Sequence, residues 1–151
     1  MSTLSVSVEP LTRAAFAPFG DVIEIEGSSH FTINRGFAER YHDLATLDLA
    51  EQNGRPIVSI VRTAPWPLPV HIAMLERHPL SSQVFFPLAQ DPFLIVVAPD
   101  DNPPQPQRLR AFITNGHQGV NYRRGVWHHP LLAVGKIADF LVLDRSDIEE
   151  N

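Results

Sequence analysis

The chain has 151 residues, 44% hydrophobic and 19% charged, which excludes a disordered chain or a coiled coil and predicts one domain over 1–151. It has no cysteine, so disulfides, thiolate metal sites and a thiol nucleophile are excluded, and any metal must sit on imidazole and oxygen. Seventeen acidic residues against twelve basic ones give a net charge of −5 without a concentrated basic track, so no nucleic-acid partner is expected.

The opening MSTLSVSVEP has no positive n-region and no long apolar run, so neither a signal peptide nor a membrane partner is expected and the protein is placed in the cytoplasm. Thr12 is positioned to cap a short helix over RAAFAPF that Gly20 ends. Around Tyr41 to Leu49 the leucines at 44, 47 and 49 fit a helical stripe poorly, and 48–54 reads as a polar surface loop. Fourteen prolines then divide the chain into short runs rich in Val, Ile and Phe, at 56–65, 69–79, 82–88, 92–100 and 138–144. Proline stops helices and is confined to strand edges and turns, so these runs read as strands. The segment DDNPPQPQ (100–107) reads as a long hairpin connection into a further strand, LRAFIT, and the tail SDIEEN as frayed. Short strands at this spacing predict an all-β fold, an antiparallel sandwich or barrel with short helical segments near the N-terminus.

The chemistry gathers in two stretches. In LERHPLSSQVFFPL (75–88), Glu76 and His78 are two apart on an expected strand and share a face, with Gln83 five residues further on. In GVNYRRGVWHHPL (119–131), Gly125 turns the chain before His128 and His129, of which strand alternation allows one inside. A glycine turn followed by histidine, combined with an acid and imidazole at spacing two and an oxygen ligand beyond, is the layout by which cupin barrels build a small metal cup.

The strings INRGFAERYHDLA, MLERHPLSSQVFFPL, GVNYRRGVWHHPLLAV and DFLVLDR together resemble the ureidoglycolate lyase family, also called ureidoglycolate hydrolase. The likeness covers nearly the whole chain, with Ser81 standing where glycine is expected. It implies a cupin-like antiparallel β-barrel, or double-stranded β-helix, a homodimer, and cleavage of ureidoglycolate to glyoxylate and urea in allantoin breakdown. It also implies a divalent metal, with nickel favoured. Against the general cupin pattern of two histidines, an acid and a distant histidine, the matching positions read Glu76, His78, Gln83 and His128. Two imidazoles, one carboxylate and one neutral amide predict weak binding of a borderline ion, nickel, zinc or manganese. The alternative is a metal-free contact between Glu76 and His128 or the substrate.

Such a substrate needs an anchor for its carboxylate, a proton acceptor for its hydroxyl and a donor for the departing urea nitrogen. Asn34 and Arg35, in a loop next to Gly36, are the candidate lid over the substrate, with Ser82 and Gln83 for the urea amide. The ion or His128 would assist deprotonation, and Glu76 or His78 would supply the proton. A hydrolase releasing ammonia and a non-catalytic metabolite-binding cupin are the competing readings. Arg77 is expected on the opposite face in a structural ion pair, Trp127 in packing, His129 outside the cup, and His71, His30, His42 and His117 outside the chemistry.

Overall fold

A computed structural model of the chain describes residues 3–146; of the tail SDIEEN expected to fray, Ser146 is instead paired with Arg55 at the end of the last strand, and the rest lies outside the described residues. One sheet runs in the order β1 (Val8–Pro10), β8 (Arg110–Ile113), β7 (Phe93–Ala98) and β10 (Trp127–His128), and β11 (Leu132–Ala133) also pairs with β7. The second runs β2 (Gly20–Ile23), β9 (Gly119–Tyr122), β6 (Gln83–Pro87), β12 (Ala138–Ser146) and β5 (Arg55–Thr63). A separate hairpin joins β3 (His30–Ile33) to β4 (Ala38–Tyr41). All pairings between these strands are antiparallel except β1 on β8. The architecture is therefore all-β and consistent with a cupin-like fold, as expected, with two five-stranded sheets sharing one core among the described residues.

Strand alternation places one core between the sheets. Phe93, Ile95 and Val97 of β7 meet Phe85, Val120, Phe140 and Val142 of the second sheet, with the Phe93 and Phe140 rings 5.0 Å apart, edge to face. Each such buried side chain contributes roughly 1.5–3 kcal/mol. The intervening β7 residues Leu94 and Val96 face outward into a smaller cluster with Trp66, Val70, Ile72 and Leu75. Covered on both faces, β7 reads as an unbroken apolar run. The only α-helix among the described residues, α1 (Arg13–Phe16), is shorter than expected. Thr12 caps it by accepting from the Ala15 N–H, and it stops at Ala17, ahead of Pro18 rather than at Gly20. Residues 42–50 form no helix.

The expectation of a strand over 69–79 is not met. From residue 64 to 82 the chain is irregular, touching the sheets through isolated bridges, Pro65 to Ala133 and Glu76 to His128. Pro65, Pro67 and Pro69 lack the N–H groups a ladder needs, while Val70, Ile72 and Leu75 still cover the outer side of β7. Ser81, where glycine was expected, is buried without a positive φ, so its turn needs no glycine.

Candidate active site

The two chemistry-bearing stretches converge through main-chain bonds. The Glu76 N–H donates to the His128 carbonyl and the His128 N–H to the Glu76 carbonyl, each at 2.8 Å. This reciprocal exchange makes them a directly opposed antiparallel pair with side chains on one face. His128 also stands opposite Val97 of β7, which seats it at the edge of the core. Two residues on from Glu76, His78 is held from the other side, its carbonyl accepting from the Gly125 N–H at 3.0 Å. Gly125 takes φ 80°, the left-handed conformation the expected turn requires.

The His128 ring is 1% exposed and lies flat on Tyr122, with centroids 4.1 Å apart and planes 7° from parallel, while Phe85 meets its edge. Its Nδ1 donates to the Val126 carbonyl at 3.1 Å. Its Nε2 faces Gln83 Oε1 at 3.0 Å and Glu76 Oε1 at 3.4 Å. Glu76, His78 and His128 each offer a ligand atom within 4.8 Å of the others. Two imidazoles, a carboxylate and an amide oxygen suit a borderline divalent ion, so this donor set can hold one.

Contact with His128 is the main reason the Glu76 carboxyl is held below the usual carboxylate range; it outweighs the opposing effect of partial burial, with smaller attractions from His78 and His129. Glu76 is therefore ionised at neutral pH. Burial pushes the Tyr122 phenol far up, so Tyr122 serves as a neutral platform for the ring. Arg77, between Glu76 and His78, turns away to pair with Asp100 at 2.7 Å and lies over the Trp127 ring. His129 bonds the Pro130 carbonyl and packs edge-on against Trp66, outside the cup.

Glu76, His78, Gln83 and His128 are thus brought together, and the other expected contacts stand apart. Ser82, adjacent to Gln83 on the chain, is buried with its hydroxyl accepting from the Asp48 N–H at 2.9 Å. Asn34 and Arg35 stand exposed at the tip of the β3–β4 hairpin, with no hydrogen bond or ion pair to the cup among the described residues. Two participants went unread in the sequence: Tyr122, inside GVNYRRG, and Asp144, whose carboxylate accepts from Gln83 Nε2 at 3.1 Å. The signal for Asp144 was its two-residue spacing from Phe140 and Val142, which puts it on the inner face.

Over residues 3–151 the chain matches the family described as ureidoglycolate lyase. It is 58% identical over 139 residues to a ureidoglycolate lyase of Pseudomonas syringae pv. syringae, covering 92% of this chain and 82% of that one. It is 56% identical over 147 residues to one of Pseudomonas paraeruginosa, covering 97% and 87%. With one of Burkholderia mallei the identity is 55% over 142 residues, 94% of this chain and 83% of that protein.

Proposed function

The chain belongs to the ureidoglycolate lyase family, and on that premise we propose that it is a lyase cleaving ureidoglycolate into glyoxylate and urea in allantoin degradation, at the cup of Glu76, His78, Gln83 and His128. The observation that carries this reading is the convergence of an ionised carboxylate and two imidazoles from stretches about fifty positions apart.

Glu76 presents one oxygen to His128 and accepts the carbinol hydroxyl proton with the other. The oxygen lone pair becomes the aldehyde carbonyl as the carbon–nitrogen bond breaks. The bonding pair leaves on the urea nitrogen, which takes a proton, so no net proton or water is consumed. His78, half-buried beside Glu76, delivers that proton. The ionised state of Glu76 favours the acceptor role for it over the donor role considered from sequence. Gln83 holds the urea amide, and Ser82 supports it at one remove by tying its strand to Asp48. Arg35, with Asn34, anchors the carboxylate when the hairpin closes. Among the nearby arginines, Arg77 is engaged by Asp100, Arg124 by Asp48 and Glu51, and Arg123 by the Ala17 and Pro18 carbonyls, which supports assigning Arg35. A borderline divalent ion such as nickel would be held by the same Glu76, His78, His128 and Gln83 Oε1, so the proton roles above belong to the ion-free cup, and the ion would instead supply Lewis-acid stabilisation of the developing alkoxide.

The enzyme acts as a cytoplasmic homodimer in this reading. Support for a second copy comes from the outer side of β5, where Val58 is 68% and Ile60 64% exposed beside Leu141 and Leu143 of the paired strand. Product analysis of the purified enzyme with ureidoglycolate tests the proposal. Urea and glyoxylate in equal amounts are expected, whereas ammonia release, or no turnover with or without added nickel, overturns it.

A further inference from the structure

We propose that Asp144 is a positioning residue of the cup: its carboxylate fixes the Gln83 amide so that Oε1, and not Nε2, faces His128. The inference rests on the cup being the active site. The pairing of β12 with β6 sets Phe140 opposite Pro87 and Val142 opposite Phe85, so the next residues on that inner face are Asp144 and Gln83. Gln83 is buried, and its Nε2 donates to Asp144 Oδ2 at 3.1 Å.

An ionised carboxylate only accepts hydrogen bonds, so the NH2 end of the amide must lie on its side. Turned over, the amide would set its oxygen lone pairs against a negative charge and lose the charge-assisted bond. The carbonyl end is therefore delivered to the cup, 3.0 Å from His128 Nε2. Without Asp144 the amide is free to present N–H to His128 Nε2 and cap the one ring nitrogen that faces the cup, since Nδ1 is tied to the Val126 carbonyl. Gln83 as urea contact or cation ligand thus works only through the orientation that a remote strand imposes.

The test compares full-length Gln83→Ala, Asp144→Ala and the double variant, with Asp144→Asn as the conservative change. Each alanine variant is expected to lose about 10- to 100-fold in kcat/KM, as residues supporting a ligand from behind typically do. The double variant should lose no more than the worse single one. In nitrogen-15 spectra, the side-chain NH2 pair that Gln83→Ala removes should be protected from hydrogen exchange in the native enzyme. It should shift and lose protection in Asp144→Ala and stay protected in Asp144→Asn, whose amide oxygen still accepts. An NH2 pair unprotected in the native enzyme, or unmoved in Asp144→Ala, overturns the proposal, as do losses that multiply in the double variant. Should Asp144→Ala fail to fold, the native spectrum and Asp144→Asn decide it, a loss of protection in the latter counting against. Full activity in Gln83→Ala, with the NH2 pair protected in the native enzyme and shifted in Asp144→Ala, would refute the cup as active site, whereas activity lost in Gln83→Ala but kept in Asp144→Ala refutes the positioning role alone.

Discussion

Replacing Glu76 by Gln separates chemistry from architecture, because the side chain changes its charge while its volume and its main-chain bridge to His128 stay. The bridge consists of two backbone bonds of 2.8 Å that need no carboxylate. The charge itself touches His128 at 3.4 Å and is 39% exposed, so its loss should cost about 0–1 kcal/mol, in the range of solvent-screened pairs. For a domain of this length that is a fall in Tm of at most about 4 °C. Loss of a proton acceptor, by contrast, should lower kcat/KM by about 10²- to 10⁴-fold. The assay is glyoxylate release under steady state, paired with a thermal melt. The pH dependence of stability gives a second readout. The fold depresses the Glu76 pKa, so the carboxylate's contribution is fully present above its unfolded value near 4.3 and is lost as pH falls through the lower folded value. Glu76→Gln should therefore lose less stability than the native protein on acidification below about pH 4. Near-native turnover in Glu76→Gln would refute the catalytic assignment, and a fall in Tm beyond about 10 °C would show the carboxylate to be structural.

Gly125→Ala should hurt fold and activity together. At φ 80° an added Cβ would stand 3.2 Å from Asp100 Oδ2, which Arg77 holds in place, so the left-handed backbone costs about 1–2 kcal/mol before any movement. The Gly125 N–H to His78 carbonyl bond links that turn to the cup, and a displacement near 1 Å should cost up to about 100-fold in kcat; a native melt and native turnover would contradict this. On the outer side of β5, Ile60→Asp should leave the cup active while shifting the sizing profile from dimer to monomer. A dimer retained in Ile60→Asp would remove β5 from the interface.

The strands were legible as short runs rich in Val, Ile and Phe bounded by turn residues, as in β5, β6 and β12, of which β12 alternates clearly in burial and β6 is buried nearly throughout. The same pattern misled over 69–79. Val70, Ile72 and Leu75 do alternate against a sheet, yet apolar spacing reports only which side chains are covered, not whether the backbone is paired. Pro65, Pro67 and Pro69 keep the approach to that run off the ladder, and within the run only Glu76 is paired, to His128. Within that irregular segment the spacing of Glu76, Arg77 and His78 still divides the faces correctly, the outer two turning into the cup and Arg77 out to Asp100. Spacing from Phe140 and Val142 could place Asp144 on the inner face, but its partner Gln83 and the role of Tyr122 depend on which strands lie side by side, β12 against β6 and β6 against β9, and nothing local encodes that register.

That division explains why the site tolerates an irregular carrier segment. Catalysis by an acid and an imidazole requires their separation to be held to a fraction of an ångström, and side chains alone hold it poorly. Here the carrier segment needs only one residue in register. The paired bonds between Glu76 and His128 fix the acid to the imidazole, the Gly125 bond fixes His78, and β7 fixes His128 to the core through its alignment with Val97. The rest of 64–82 is then free to follow its prolines across the outer face without disturbing the cup. A substitution that breaks a proline there, such as Pro67→Ala, should accordingly leave kcat intact, and a strong loss of turnover in that variant would show that the segment's path, and not its single bridge, sets the geometry.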